Sequence, residues 1–357
     1  MNKIAIALAA TAAMIVSFGA SAEAAGKTKA CFIYVGSHTD GGWSQAHDMG
    51  RLAVEKEFGG KVETAFLENV AEGPDSERAI ERMARSGCSI VFTTSFGFMD
   101  STVAVAKKFP KVKFEHATGF KASDNLATYN SRFYEGRYIN GQIAGKMSKK
   151  GIAGYIATFP VPEVVMGINA FEQGAKSVNP NFKMKVIWIN TWFDPGKEAD
   201  AAKALIDQGV DVLTQHTDTT APMQVAEQRG VYAFGQSSDM IKAGPKVQLT
   251  AIEDTWGPYY IKRVKAVMDG TWKSEQSFDG LAAGNLTMAP FTNMPDDVKK
   301  MAEDTEAKIK SGELAPFTGP INKQDGTPWL KAGEKADDGT LLGMNFYVEG
   351  IDDKLPK

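Results

Sequence analysis

Two tryptophans stand in matched settings in this chain, and an indole face is a surface on which a flat ring can lie. Trp43 follows Asp40-Gly41-Gly42, beyond the apolar run Ala30-Cys31-Phe32-Ile33-Tyr34-Val35-Gly36. Trp192 follows Asn190-Thr191, beyond Met184-Lys185-Val186-Ile187-Trp188-Ile189. An apolar run of that length followed by a helix-like stretch reads as a parallel strand, and open α/β sheets bind ligands beyond the carboxyl ends of their strands. Each half of the chain then points one indole at a shared cleft, which suits the gripping of a planar ring between two lobes. Polar groups near these loops can read the ring's edge. Asp40 accepts from an N–H, Gln45 donates and accepts, and Gln215, His216, Thr217 and Asp218 lie on a loop after a strand at 210–214. Ser95 and Phe96 stand on the corresponding loop after a strand at 89–94. A capping role competes for several of them, because Asp40 precedes one helix and residues 218–220 precede another. His116 reads as a packing histidine, His38 as a residue of the cleft mouth, and His47 as a surface residue of the first helix.

The elements that must hold these groups alternate along the chain. Helical patterns cover 44–58, 75–86 and 100–109, the last ended by Pro110, with strands at 89–94 and 112–117. After a polar passage the alternation restarts. Helices at 134–148, 162–178, 195–208 and 221–229 are interleaved with strands at 152–158, 184–189, 210–214 and 231–235. A further strand and helix occupy about 247–269, a helix covers 295–311, and an irregular tail from Pro316 has the makings of an edge hairpin. Parallel β-α-β units repeated in two halves predict a bilobed α/β body whose chain crosses back between the lobes.

The N-terminus predicts export. Met1-Asn2-Lys3 is a short positive segment, 4–19 is apolar or small, and Ala20-Ser21-Ala22 is an A-x-A cleavage site. The apolar run is shorter than the ~20 residues that span a bilayer. Cys31 is too far downstream for a lipoprotein signal, so a free periplasmic protein is expected. A formal net charge of -3 leaves no electrostatic footprint for nucleic acid or anionic lipid. With two cysteines there is no disulfide scaffold; Cys31 and Cys88 sit on runs that can neighbour each other, as one bridge or as two buried thiols. Catalysis would need a nucleophile with a base, or carboxylates gathered on a metal. The chain has no G-x-S-x-G, H-E-x-x-H, C-x-x-C or P-loop, and no cofactor or metal is expected.

Longer stretches carry a resemblance. Arg132-Phe133-Tyr134-Glu135-Gly136-Arg137-Tyr138-Ile139-Asn140-Gly141 with Ala144-Gly145-Lys146-Met147-Ser148 is similar to the helix-opening motif of the basic membrane protein family of ABC-transporter solute receptors. So are 167–176 followed by Asn179-Pro180, Thr191-Trp192-Phe193-Asp194-Pro195-Gly196-Lys197-Glu198, 109–114, and Gly312-Glu313-Leu314 before Pro316. The resemblance runs in order along nearly the whole chain after the leader. It implies a type I periplasmic-binding-protein fold, two Rossmann-like lobes joined by three hinge crossings, closing on a small molecule delivered to an inner-membrane ABC permease. The implied division is 26–128 plus about 251–279 for one lobe, 129–250 plus about 280–320 for the other, and 321–357 as a tail packed on both. A monomer is expected.

Better understood members resemble purine nucleoside receptors, in which two aromatic rings sandwich the base. By position that sandwich falls on Trp43 and Trp192, where the family usually has phenylalanine. The departures are informative. The family's sugar-side acid aligns with Ser237 in Gly235-Gln236-Ser237-Ser238-Asp239, its lysine with Asp254, and the acid after its fourth strand with Thr118. A site made to pair with hydroxyls loses that function when its partners change. The expected ligand is therefore a purine nucleobase, adenine first, with a nucleoside, a sugar or riboflavin as the alternatives. The ligand-binding residues expected are Trp43, Trp192, Asp40, Gln45, Ser95, Phe96, Thr118, His216, Thr217, Ser237, Asp239 and Asp254.

Overall fold

The computed structural model describes residues 27–356. The leader at 1–25 and its cleavage site lie outside the described residues. In chain order the first elements are β1 (Thr28–Ile33), α1 (Trp43–Phe58), β2 (Val62–Leu67), α2 (Pro74–Arg85), β3 (Ile90–Thr93), α3 (Met99–Lys108), β4 (Lys113–Ala117) and β5 (Leu126–Ser131). The alternation continues through α4 (Phe133–Met147), β6 (Ile152–Ala157), α5 (Pro162–Val178), β7 (Lys183–Trp188), α6 (Pro195–Asp207), β8 (Val212–Gln215), α7 (Ala221–Arg229), β9 (Tyr232–Ser237) and β10 (Gln248–Asp254). It ends with α8 (Gly257–Met268), β11 (Gln276–Asp279), β12 (Leu286–Met288), α9 (Asp296–Lys310), β13 (Ile321–Asn322), β14 (Pro328–Leu330) and α10 (Asp338–Leu342).

Two six-stranded sheets result, ordered β2-β1-β3-β4-β5-β11 and β7-β6-β8-β9-β10-β12. All pairings within them are parallel except β12 on β10. Each sheet thus reverses its strand order beside its first strand, and that switch point is where open α/β sheets hold ligands. The sequence explains the layers. β1 and β3 are apolar and buried on both faces, with Phe32 stacked on Phe92 at 4.8 Å. α2 buries Ile80, Met83 and Ala84 while Arg82 and Arg85 occupy its last turn, where cations favour a helix end. Cys31 and Cys88 form a disulfide with their Cα atoms 6.0 Å apart, which settles the choice between a bridge and two thiols.

The chain passes between the sheets three times: from β5 into α4, from β10 through α8 back to β11, and from β11 to β12. Glycines let α4 and α5 cross closely. A side chain at Gly141 would lie 2.0 Å from the Phe171 carbonyl oxygen, and one at Gly174 would lie 2.0 Å from that of Tyr138. α8 is pinned to the first sheet by a buried ion pair. Arg263 Nε donates to Glu115 Oε1 at 2.5 Å, and the same carboxylate accepts from Tyr259 and Trp272. These hydrogen bonds hold the pair without exposure to water.

Four sheet strands were not anticipated: β2, β5, and the edge strands β11 and β12. β2 is half-buried at an edge, and β5 is fully buried yet polar, reading Leu-Ala-Thr-Tyr-Asn-Ser. The tail's short strands β13 and β14 pair with each other in a separate sheet and extend neither edge. Asn169 of α5 fastens this tail, donating to the Phe346 carbonyl at 2.8 Å and accepting from the Val348 N–H at 3.1 Å.

Candidate functional site

Trp43 is placed by the cap of α1. The Asp40 carboxylate accepts from the backbone N–H groups of Gly42, Ser44 and Gln45 at 2.9, 2.9 and 3.0 Å, satisfying donors that the helix leaves free. The Trp43 indole N–H donates to the Thr94 carbonyl at 2.7 Å, and the ring stands edge-on to His47 and Trp256. Trp192, beyond β7, belongs to the other sheet. Its indole N–H reaches across to Glu72 Oε1 at 3.2 Å, and its ring packs on Phe159 at 5.2 Å.

Between the two indoles lies a narrow cavity. Val35, Trp43, Ser95 and Phe96 wall it from the loops of the first sheet, and Glu163, Trp192, His216, Asp218 and Gln236 from the second. Its walls leave room for the centre of about one water molecule, so a planar ring enters only as the lobes part. The lobes meet tightly beside it. A side chain at Gly42 would fall 2.7 Å from the Asp218 carbonyl oxygen, and Ser238 Oγ donates to the Gly41 carbonyl.

Of the residues expected to bind ligand, Trp43, Trp192, Ser95, Phe96 and His216 line this cavity. Thr118, Thr217, Ser237 and Asp254 are buried; among the described residues, the hydroxyls of Thr118 and Thr217 and both carboxylate oxygens of Asp254 have no hydrogen-bond partner. Three residues stand differently. Asp40 is occupied by its cap, Gln45 is absent from the wall, and Asp239 is exposed, accepting from the Ile241 N–H and from Gln248 Nε2. His47 is not a surface residue. The returning α8 covers it, so that it stacks on Trp256 at 4.7 Å and pairs with the Tyr260 hydroxyl at 2.5 Å. His116 packs as expected, buried with Nδ1 2.9 Å from Thr93 Oγ1, while half-exposed His38 pairs with Glu68. Glu72, Glu163 and Gln236 were missed. Glu163 opens α5 just beyond β6, and Gln236 lies at the carboxyl end of β9, so the rule that selects Trp192 also selects them.

The cavity is acidic, and burial governs its protonation. Burial raises Glu163 to about 8 against a lowering contribution from Thr118, and raises Asp254 to about 7 against Ser237 and Arg137. Asp218 is pushed well above the carboxylate range by burial, then by Asp40, Glu198, Asp254 and Glu163. His216 is held neutral by burial. A neutral carboxyl both donates and accepts, which suits the mixed edge of a heterocycle. The linkage has a definite sign. Glu163 and Asp254 hold their protons in the folded protein to higher pH than when unfolded, so their contribution is complete below the ordinary carboxylate range and is lost as pH rises through about 7 to 8. Unfolding free energy from urea titrations is expected to fall by a few kcal/mol over that rise, and Glu163→Gln to flatten it; an unaltered slope in the variant contradicts the assignment.

Paired Rossmann-like lobes meeting over a cavity define a protein of the type I periplasmic-binding-protein fold. A family model described as ABC transporter substrate-binding protein, PnrA-like, matches residues 27–316, and the chain belongs to that family. A purine-binding protein of Brucella abortus is 68% identical over 339 residues, covering 95% of this chain and 97% of its own. A protein of Haloferax volcanii, provisionally named an ABC transporter glucose-binding protein, is 35% identical over 92% of this chain and 81% of its own. Among solved structures, a solute-binding protein from Aeropyrum pernix aligns with a TM-score of 0.71 at 18% identity, over 88% of this chain and 95% of that one. Another, from Conexibacter woesei, gives 0.63 at 21%, over 81% and 98%. Both share the fold. Members of the family are substrate-binding receptors rather than enzymes; they bind small molecules and work with a membrane permease. Such receptors are generally extracytoplasmic, and among the described residues no helix is long and apolar enough to cross a membrane.

Proposed function

We propose that this receptor captures a purine nucleobase, adenine first, by stacking it between Trp43 and Trp192. One observation carries the reading: the two indoles wall a single cavity from opposite lobes. The name of the Brucella relative supports a purine, and the neutral carboxyls of Glu163 and Asp218 supply paired donors and acceptors for its edge. The leader exports the protein to the periplasm, where it acts as a monomer. The two bodies that close are 26–128 with about 251–279 and 129–250 with about 280–320, the bounds moved by a few residues so that β5 stays whole in the first and β10 in the second. The closed form is what the inner-membrane permease receives.

A nucleoside is the second reading, and a specific feature favours it. Thr118 and Asp254, at positions the family gives to the sugar side, keep unpartnered polar atoms in the interior. Calorimetry of the ligand-stripped mature protein separates the readings. Tight adenine binding with little for adenosine supports the nucleobase. Tighter adenosine overturns it in favour of the nucleoside, and binding of glucose or riboflavin alone removes purines altogether. Trp192→Ala is expected to weaken adenine binding by roughly 2 kcal/mol or more, as for aromatic anchors at the centre of other binding sites. Unchanged affinity in the same titration takes Trp192 out of the site.

A further inference from the structure

Arg137 lies in the second turn of α4 and is completely buried, yet among the described residues no carboxylate oxygen lies within 4.0 Å of its guanidinium. Its Nη1 donates to Thr214 Oγ1 at 3.1 Å, its Nη2 donates to Gln236 Oε1, and its Cζ lies 5.4 Å from the centre of the Tyr155 ring. A guanidinium carries donors only, so the Gln236 atom facing it must be the carbonyl oxygen. The amide –NH2 is thereby turned the other way. One of its hydrogens goes to Ser237 Oγ at 3.0 Å, and Gln236 is itself part of the cavity wall. A free glutamine can turn over and serve as donor or acceptor. Here, turning over would set –NH2 against –NH2 beside a buried cation.

We infer that Arg137 is a positioning residue that fixes Gln236 as a hydrogen-bond donor to the captured ligand, so that the site selects rings presenting an acceptor, a bare ring nitrogen or a carbonyl oxygen, to that wall. The inference rests on the purine reading for its choice of probes. It assigns Arg137 no contact with the ligand. The residue acts by removing one of the two orientations of a neighbouring amide.

The test is calorimetry of the mature protein with adenine and its 1-deaza, 3-deaza and 7-deaza analogues, each of which replaces one ring nitrogen by C–H. In the unmodified protein one analogue is expected to bind about tenfold or more weakly than adenine, because a buried donor loses its partner. In Gln236→Glu, the carboxylate pairs with Arg137 and offers only acceptors. In Arg137→Met, the amide is free to turn. Both variants are expected to bring that ratio to within about threefold. A purely structural role for Arg137 would weaken all four ligands together and leave the ratio in place. If Arg137→Met does not fold, Gln236→Glu decides. Adenine binding with no discrimination among the analogues, or a ratio that persists in the variants, overturns the inference alone. Failure of every purine to bind the unmodified protein overturns the purine reading and this inference with it.

Discussion

Gly42→Val is expected to weaken ligand capture by roughly two orders of magnitude, the affinity change of a receptor that can no longer complete closure. In the closed form a Cβ at residue 42 would meet the Asp218 carbonyl oxygen at 2.7 Å and the Asp218 Cα at 3.1 Å. Those neighbours are backbone atoms held by the Asp218 N–H donating to the Trp192 carbonyl at 3.1 Å, so they cannot swing aside as a flexible side chain would. The lobes must part, and Trp192 loses its register with Trp43. Small-angle scattering should show the variant failing to compact on addition of adenine, while the unmodified protein does. Gly60→Ala is the control, since nothing lies within 4 Å of its Cβ. Wild-type affinity and compaction in Gly42→Val would show that this contact does not limit closure.

Replacing Cys31 and Cys88 together by alanine is expected to cost roughly 4 kcal/mol of stability, the chain-entropy value for a loop of this size. The bridge closes a sequence separation of 57 residues, and both cysteines belong to the buried cluster that includes Ile33, Ile80, Met83 and Val91. Some packing is lost as well, because Cys31 is completely buried. Urea unfolding followed by tryptophan fluorescence measures the change. Adenine affinity should stay within about twofold, because Cys88 precedes β3 whereas the cavity lies beyond the strands' carboxyl ends. A loss under about 1 kcal/mol would mean that the unfolded chain is already compact in this region.

Much of this architecture is legible in the sequence because β1, β3 and β6 are short, largely apolar runs and the helices between the strands are amphipathic. β5 escaped because half of its buried residues are polar and give no apolar run: Thr128, Asn130 and Ser131 are enclosed in a strand that lies between β4 and β11. The aromatic walls were legible for a related reason, since a tryptophan beyond a strand's carboxyl end has few other roles. The polar residues were harder. Asp40 could cap or bind, and only the three N–H groups converging on it decide for the cap. His47 looked external because the helix that covers it, α8, arrives more than 200 residues later in the chain. Arg137 gives no local signal at all. Its meaning depends on Thr214 and Gln236, which belong to two different strands.

The three passages between the sheets set an order of assembly. β11 pairs with β5 only after the whole of the second sheet's parallel core has been made, and β12 completes that sheet later still. For a chain that emerges N-terminus first, neither lobe can be finished until most of the polypeptide is available. Fully buried Ser131 and Glu115 wait for partners more than 140 residues behind them. Cys31 and Cys88 need no such wait. Their bond can form once roughly the first quarter of the chain has emerged, giving a half-made protein a covalent tie between β1 and the segment that leads into β3.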